Sequence, residues 1–339
     1  MLRRFIAIMM LMQCIAAAAA DTTATYKKYV PEVHATLRAR YELATESGDA
    51  RFQVRNARVN LNGYVTDFLS YFMRVDFCDR GKISVLDAFA TVSPSSRLRV
   101  MLGQMRVPLS VDASRAVNQY WFANRAFPGK DMWSSRKVGL KARYGFDIGK
   151  APAYVEGGVF SSASTASQNT WSKSYTFGAI GVVTLGDFTP EVGFQSNEVS
   201  HVRVSNWDAS LTWHHGPWEA EAEILYKHYA HDAAQSVKAY NIMARRFFPL
   251  KSRWANRLSL DLRFDGMTDN CDGTTDDEGA LVVTKTARKR LTVGSTLAYF
   301  RLPVKAHLRL NYEQYFYGTS HVAAPADGNK LVLELMLHF

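Results

Sequence analysis

The chain ends in the stretch LVLELMLHF, residues Leu331–Phe339. One set of alternate positions holds four leucines and the terminal phenylalanine, while the other set includes Glu334 and His338. A β-strand places alternate side chains on opposite faces, whereas a helix would scatter these leucines around its axis. The stretch therefore predicts a strand with one apolar face and one mostly polar face.

The same two-residue period recurs upstream, most clearly at 218–226, 257–265 and 304–312. Near Arg55 and Asn56 the alternation changes phase, which predicts a β-bulge there. About sixteen strands result, an even number, as is usual for bacterial outer-membrane barrels. The predicted strands are 34–45, 51–64, 69–78, 83–93, 98–109, 137–146, 153–162, 171–185, 188–196, 203–213, 218–229, 237–248, 256–266, 287–300, 304–315 and 330–339.

The lengths of the connections give an independent check on these strands. Long connections at 110–136, 267–286 and 316–329 all fall at one end of the predicted sheet. Short turns at 65–68, 186–187, 214–217 and 301–303 fall at the other end. Outer-membrane barrels have short periplasmic turns and longer extracellular loops. The sequence thus predicts an all-β, antiparallel transmembrane β-barrel over residues 34–339.

The N-terminus has the features of a secretory signal peptide. Two arginines at positions 3 and 4 precede a short apolar run, and small residues end at Ala20. We expect cleavage after Ala20, with residues 21–33 forming a periplasmic segment before the barrel. A lipoprotein signal at Cys14 is the alternative, but the residues before it lack the usual small side chains. The predicted location is the outer membrane of a Gram-negative bacterium.

Charge and cysteine content restrict the classes of partner. The chain has 41 basic and 31 acidic residues, a formal net charge of +10, and the leader removes two of the positive charges. In a secreted chain this favours an anionic membrane surface or small anionic solutes as partners, and not nucleic acid. Outside the leader only Cys78 and Cys271 remain, and the sequence leaves their pairing undecided. Their spacing fits no zinc motif, and no cofactor is expected.

Four motifs between Arg51 and Leu140 resemble the phosphate-selective porin O and P family. They are RFQVRNAR at 51–58, LDAF at 86–89, GQMRVPLS at 103–110 and RKVGL at 136–140. The resemblance implies a sixteen-stranded barrel that forms a homotrimer. It also implies that the loop after strand five, 110–136, folds inward and narrows the pore. The candidate constriction and anion-selectivity residues are Arg106, Arg115, Arg125, Lys130, Arg136 and Lys137.

The predicted lumen faces carry a mixture of charges. A dedicated phosphate site needs several cations with few anions nearby. The mixture departs from that pattern and predicts paired walls with a weak anion preference. The basic members are Arg38, Arg40, Arg74, Arg99, Lys141, Arg143, Arg257, Arg263, Lys305 and Arg309, and the acidic members are Glu42, Asp76, Glu219, Glu221, Glu223, Asp261, Asp265 and Glu334.

The leading functional hypothesis is a porin for passive diffusion of small hydrophilic solutes. A dedicated phosphate or polyphosphate channel is the alternative, and an outer-membrane barrel enzyme is a third hypothesis. No G-x-S-x-G motif or P-loop is present, and the acidic segment 269–278 fails the EF-hand pattern, so neither a catalytic nor a metal site is assigned. A closed structural barrel is disfavoured because about sixteen strands leave a channel.

The terminal Phe339 lies on the apolar face of the last strand. It resembles the signal by which barrel proteins are recognised for outer-membrane assembly. The expected partners are therefore the barrel-assembly machinery, outer-membrane lipid and lipopolysaccharide, together with small anionic solutes.

Overall fold

The computed structural model describes residues 29–79, 81–132, 136–301, 304–318 and 324–339. The predicted signal peptide, with Cys14, and the first eight residues of the predicted periplasmic segment lie outside the described residues.

Sixteen antiparallel strands form one closed barrel, as predicted. Each strand pairs with its two neighbours, and β1 pairs with both β2 and β16. The strands are β1 Glu32–Ala44, β2 Ala50–Tyr64, β3 Leu69–Asp79, β4 Lys82–Val92, β5 Leu98–Arg106, β6 Arg136–Ile148, β7 Ala151–Ser161, β8 Tyr175–Val183, β9 Phe188–Val199, β10 Val202–His215, β11 Trp218–Tyr229, β12 Val237–Pro249, β13 Arg257–Met267, β14 Arg288–Arg301, β15 Val304–Tyr317 and β16 Lys330–His338.

The C-terminal strand closes the barrel and shows how the alternation is used. Leu333 and Leu335 point outward and are 42% and 45% exposed, whereas Glu334 between them is fully buried in the interior. Glu334 pairs in register with Arg40 of β1 and with Arg309 of β15. The apolar outer face suits lipid, and the inner face holds the charges.

The β-bulge predicted in the second strand is present. Arg38 of β1 pairs with Asn56, and the next residue, Ala39, pairs with Val54. Arg55 is therefore the extra residue, and its side chain has Arg38 and Arg58 as electrostatic neighbours. The bulge adds an inward-facing cation to the wall.

The connections are asymmetric, as predicted from their lengths. The longest ones, 107–135, 268–287, 162–174 and 318–329, all leave one end of the barrel. The opposite end has tight turns such as 149–150 and 216–217, where Gly149 and Gly216 adopt φ of 64° and 55°. These values lie in the left-handed region that glycine occupies without strain. We take the tight-turn end as the periplasmic end.

Among the described residues, helical structure is confined to short segments of the connections. The β5–β6 connection contains α1 (Val111–Ser114) and α2 (Phe127–Asp131), separated by a 3-10 turn at Val117–Gln119. In the described ranges, none of the helices has the length and apolar character needed to cross a bilayer.

Cys78 and Cys271 are not bonded to each other. Cys78 is partly exposed on β3, and Cys271 is buried in the β13–β14 connection. In the same connection Asp272 accepts hydrogen bonds from the backbone and hydroxyl of Thr274, at 3.2 and 2.9 Å. Asp276 likewise accepts from the backbone of Ala280 at 2.8 Å. These carboxylates order the loop itself.

Candidate pore constriction

The connection between β5 and β6 lies inside the barrel, and its described part, residues 107–132, is called the inner loop below. Its first residues cross the inner faces of β8 and β9 at Gly178 and Gly193. A Cβ atom at Gly178 would lie 2.6 Å from Cγ1 of Val107, and one at Gly193 would overlap the carbonyl oxygen of Leu109. The two glycines therefore form the seat on which the loop crosses the wall.

The first helix of the inner loop is fixed to β11. The hydroxyl of Ser110 caps α1 and donates a hydrogen bond to the carboxylate of Glu223. Arg115, just after α1, pairs with Glu221 and also with Asp112 at 3.1 Å. Because the carboxylates in these contacts are buried, the contacts hold α1 firmly against the inner face of β11.

The middle of the inner loop is bound by arginines of the opposite strands. Each donates to a main-chain carbonyl group: Arg38 to Ala123 at 2.7 Å, Arg263 to Asn124 at 2.8 Å and Arg309 to Tyr120 at 2.7 Å. Charged donors to carbonyl groups make strong hydrogen bonds. These three arginines therefore act mainly as supports of the loop.

The second helix is attached to β13 and β14. The backbone N–H of Phe127 donates to Asp265 at 2.9 Å, and the Phe127 ring is fully buried. Asp131, at the end of α2, pairs with Arg288 at 2.9 Å. The inner loop thus follows the barrel wall from β8 round to β1, leaving the lumen beside β2–β6.

A group of arginines on the wall of β2–β6, together with one from the inner loop, is only partly covered. All six are half-buried, whereas Arg263, Arg290 and Arg309 across the lumen are 1–2% exposed. Each is an electrostatic neighbour of another member of the group. The group, called the basic rim below, consists of Arg55, Arg58, Arg74, Arg106, Arg125 and Arg136.

Ion pairs within the basic rim are asymmetric in exposure. Arg58 pairs with Asp76 at 2.8 Å, and the two side chains are 14% and 0% exposed. Arg74 pairs with Asp87 at 3.0 Å, with exposures of 18% and 5%. In both pairs the guanidinium group is the more exposed partner. Water and solutes beside this wall therefore meet mainly positive charge.

Acidic side chains gather on the other side of the lumen, on β9–β11 and α1. They are electrostatic neighbours of one another, and Arg115 is the cation that pairs with them. In a closed barrel of sixteen strands, β10 and β11 lie across from β2 and β3. The positive and negative sectors thus face each other; the acidic sector comprises Asp112, Glu191, Asp208, Glu221 and Glu223.

Three of the six predicted constriction residues lie in the basic rim. Arg106 donates to the carbonyl groups of Ala113 and Arg115, at 3.0 Å each, and so closes the base of the inner loop. Arg136 pairs with Asp87 at 2.8 Å. Arg125 is the third member. Arg115 lies across the lumen, bound to β11.

The two predicted lysines lie apart from the basic rim. Nζ of Lys130 is 4.0 Å from Asp327 of the β15–β16 connection. Lys137 donates to the carbonyl groups of Ser162 and Ala163, in the β7–β8 connection. Both lysines therefore contact the long-loop end of the barrel.

The strand register turns all ten predicted lumen cations inward. Arg38, Arg40, Arg263 and Arg309 contact the inner loop, and Arg74 belongs to the basic rim. The other five line the wall. Lys141 pairs with Glu156 at 2.9 Å, and Arg143 lies 3.4 Å from the ring centre of Tyr154. Arg257 contacts two phenylalanine rings, while Arg99 and Lys305 pair in register with Arg143 and His338.

Sequence reasoning missed Arg55, Arg58 and Tyr120 as lumen residues. The arginines lie in the strand 51–58 whose phase change was noted, so the bulge itself was the available signal. The ring of Tyr120 lies between Arg38 and Arg125, 5.2 and 5.0 Å from their guanidinium carbons. No local pattern marks Tyr120, because its neighbours come from β1 and from the loop.

Comparison with known proteins finds one family model that matches the first half of the barrel. The family described as phosphate-selective porin O and P matches residues 33–184, which confirms the resemblance predicted from the motifs. Among curated proteins, no relative matches this chain.

Solved structures of outer-membrane proteins share the fold at low identity. A loop L8 deletion mutant of OmpT from Vibrio cholerae has 13% identity and a TM-score of 0.59, covering 91% of this chain and 99% of that one. Salmonella typhi OmpF, in complex with daunomycin, has 9% identity and a TM-score of 0.60, covering 92% and 98%. The outer membrane channel DcaP of Acinetobacter baumannii has 11% identity and a TM-score of 0.56, covering 91% and 97%.

Identities this low establish the fold alone. The barrel fold and the porin-family match together place the protein in the outer membrane of a Gram-negative bacterium, and they support an outer-membrane channel.

Proposed function

From the match of residues 33–184 to the phosphate-selective porin family and the porin-like barrel, we propose that the chain is a passive porin. It passes small hydrophilic solutes and prefers anions weakly. The inner loop, which corresponds to the predicted constriction at 110–136, narrows the pore, and the solute path runs between this loop and the wall of β2–β6.

The observation that carries the anion preference is the exposure of the basic rim. Asp76 and Asp87 lie behind Arg58 and Arg74, so they neutralise charge without facing the water. The acidic residues Glu221 and Glu223 are 2% and 1% exposed beneath the inner loop. Ion selectivity follows the charges that line the narrow part of a pore.

The preference is weak because the acidic sector remains on the lumen wall. Glu191 and Asp208 lie on β9 and β10, where no inner-loop cation pairs with them among the described residues. Both side chains are nearly buried, at 9% and 5% exposure, so they offset the basic rim only in part. The basic rim thus repels a permeating cation, while the acidic sector across the lumen partly attracts it.

Single-channel recording from the refolded protein in a planar bilayer tests this proposal. We expect stable ohmic steps and a reversal potential under a salt gradient that indicates a modest excess of anion permeability. Equal permeabilities for anions and cations would agree with a pore but would refute the anion preference. Absence of current from a folded barrel would refute the porin and favour the barrel enzyme.

A dedicated phosphate channel is the second candidate, because the side chains of Arg58 and Arg74 are more exposed than those of Asp76 and Asp87, which pair with them. Arginine binds phosphate through paired hydrogen bonds. Phosphate or polyphosphate added at submillimolar concentration would then block the chloride current. If phosphate carries current in proportion to its concentration and does not block the chloride current, the general porin is favoured.

The assembly is proposed to be a homotrimer in contact with outer-membrane lipid and lipopolysaccharide, delivered by the barrel-assembly machinery. One solved form of Vibrio cholerae OmpT is described as a trimer, and it has the same fold at 11% identity. The 21–33 segment is proposed to be periplasmic, since Tyr29 donates to Asp67 in the β2–β3 turn at 3.1 Å. Cross-linking of the refolded barrel, followed by denaturing electrophoresis, would give a trimer band.

A further inference from the structure

Guanidinium groups alternate with aromatic rings at the periplasmic end of the lumen, below the inner loop. Arg245 lies 4.1 Å from the ring centre of Trp121 and 4.6 Å from that of Phe247. Arg257 lies 4.1 Å from the ring centre of Phe247 and 4.2 Å from that of Phe300. These five side chains, called the arginine–aromatic stack below, join the inner loop to β12, β13 and β14.

Arg257 takes one ring from each neighbouring strand. Phe247 lies near the end of β12, and Phe300 lies near the end of β14, so the rings flank the first residue of β13. Contact with rings covers the faces of a guanidinium group and leaves its N–H donors at the edges. Among the described residues, the Arg257 side chain has no hydrogen bond, and its acidic neighbours Glu219 and Asp261 lie beyond 4.0 Å. The side chain is half-buried.

Arg245 shows what such a side chain binds. It contacts two rings in the same way, and its Nε donates to the carboxylate of Glu219 at 2.6 Å. Arg257 therefore repeats the arrangement of Arg245 with its donors free for another carboxylate. Lys305, paired in register with Phe300, adds a second positive charge at this end of the lumen.

We propose that Arg257, between Phe247 and Phe300, is a binding subsite for small aromatic carboxylates at the periplasmic mouth of the pore. The carboxylate accepts hydrogen bonds from the edge of the guanidinium group. The flat body of the acid lies in the continuation of the guanidinium plane, beside the two phenyl rings. Offset or edge contacts between aromatic rings stabilise this arrangement, whereas a phosphate ion has no apolar part to contribute. The subsite is separate from the basic rim and does not depend on it.

Equilibrium binding to the refolded full-length barrel tests the subsite independently of conduction. Isothermal titration would compare benzoate, cyclohexanecarboxylate and inorganic phosphate in the same detergent, with protein-free micelles subtracted. We expect benzoate to bind roughly fivefold more tightly than cyclohexanecarboxylate, which has the same charge and similar size but no flat ring. Binding of phosphate should not respond to changes at Arg257.

The Arg257→Lys variant retains the charge and removes the planar donor. It should weaken benzoate binding about tenfold. Arg253→Lys is the matched control, because Arg253 lies over Trp254 at 4.6 Å in the exposed periplasmic turn between β12 and β13. Phe300→Leu should abolish the preference for benzoate over cyclohexanecarboxylate.

Equal binding of the two acids, or an equal loss in the Arg253→Lys control, would overturn the proposal. Unchanged benzoate binding in Arg257→Lys would do the same. Should that variant fail to refold, as judged by heat-modifiable electrophoretic mobility, the preference measured in Phe300→Leu decides the question.

Discussion

Arg125 donates from Nε to the hydroxyl group of Tyr120 at 2.5 Å, and its guanidinium carbon lies 5.0 Å from the centre of the same ring. Both residues belong to the inner loop, so the loop itself orients one cation of the basic rim. Nη atoms of Arg125 also donate to the carbonyl groups of Gly129 and Ala113, at 3.3 and 3.2 Å. Within the part of the chain that the structure describes, the position of this charge is therefore set by loop contacts and not by an acidic partner.

Reversing the charge of Arg125 should alter selectivity. For Arg125→Glu we expect the anion-to-cation permeability ratio to fall roughly two- to fourfold, because one cation of the narrow region becomes an anion within a Debye length of the path. Reversal potentials under a salt gradient measure the ratio. Arg253→Glu, in the exposed periplasmic turn, is the control. An unaltered ratio in Arg125→Glu would remove this residue from the selectivity-determining region.

The glycine seat should control the position of the inner loop. A methyl group at Gly193 overlaps the carbonyl oxygen of Leu109, so Gly193→Ala should displace the loop and cost roughly 1–3 kcal/mol of unfolding free energy, as overpacking does. We expect a changed conductance with a retained barrel. Gly181→Ala is the control, because its methyl group would lie 3.8 Å from Val192, an ordinary contact. Identical conductance in both variants would mean that the seat does not position the loop.

The buried ion pair of α2 should contribute to stability. Asp131 pairs with Arg288 and Lys285, and both Asp131 and Arg288 are less than 5% exposed. Asp131→Asn leaves Arg288 with Asp327, at 3.8 Å, as its one acidic partner among the described residues, and should cost about 3 kcal/mol.

The matched control for this pair lies on the barrel surface. Asp147 pairs with Arg97 at 3.3 Å, and both are more than half exposed, so Asp147→Asn should change the free energy of unfolding by less than about 1 kcal/mol. Urea unfolding of the refolded barrels measures both. Equal losses in the two variants would show that burial of the Asp131 pair adds nothing.

The strands could be predicted from the sequence because each one carries its own evidence. In β16 the alternation of Leu333 and Glu334 already separates the lipid face from the lumen face. The register with β1 and β15 then places Glu334 opposite arginines on the lumen face. The bulge at Arg55 was visible as a change of phase for the same reason.

The path of the inner loop could not be predicted in this way. Its seat consists of Gly178 and Gly193, which lie about seventy and eighty-five residues beyond the start of the loop. For a related reason, the alternation of residues does not show which lumen charges are covered. Alternation assigns Glu221 and Glu223 to the lumen face, but only the folded loop shows that Arg115 and Ser110 cover them.

The last residue offers a test of assembly that is separate from the pore. Phe339 exchanges two backbone hydrogen bonds with Ala35, at 2.8 and 3.1 Å, and its ring is 54% exposed on the outer face. Deleting Phe339 should therefore lower the amount of folded protein in the outer membrane, and Phe339→Ala should do so while it retains the backbone pairing. Phe316→Ala, which removes an outer-face ring at the other end of β15, is the control. Refolding into detergent needs no cellular machinery, so the deletion and Phe339→Ala should both refold normally in vitro. A refolding defect would mean that Phe339 contributes to stability and not to recognition. Normal levels of the variants in the outer membrane would show that Phe339 has no role in assembly.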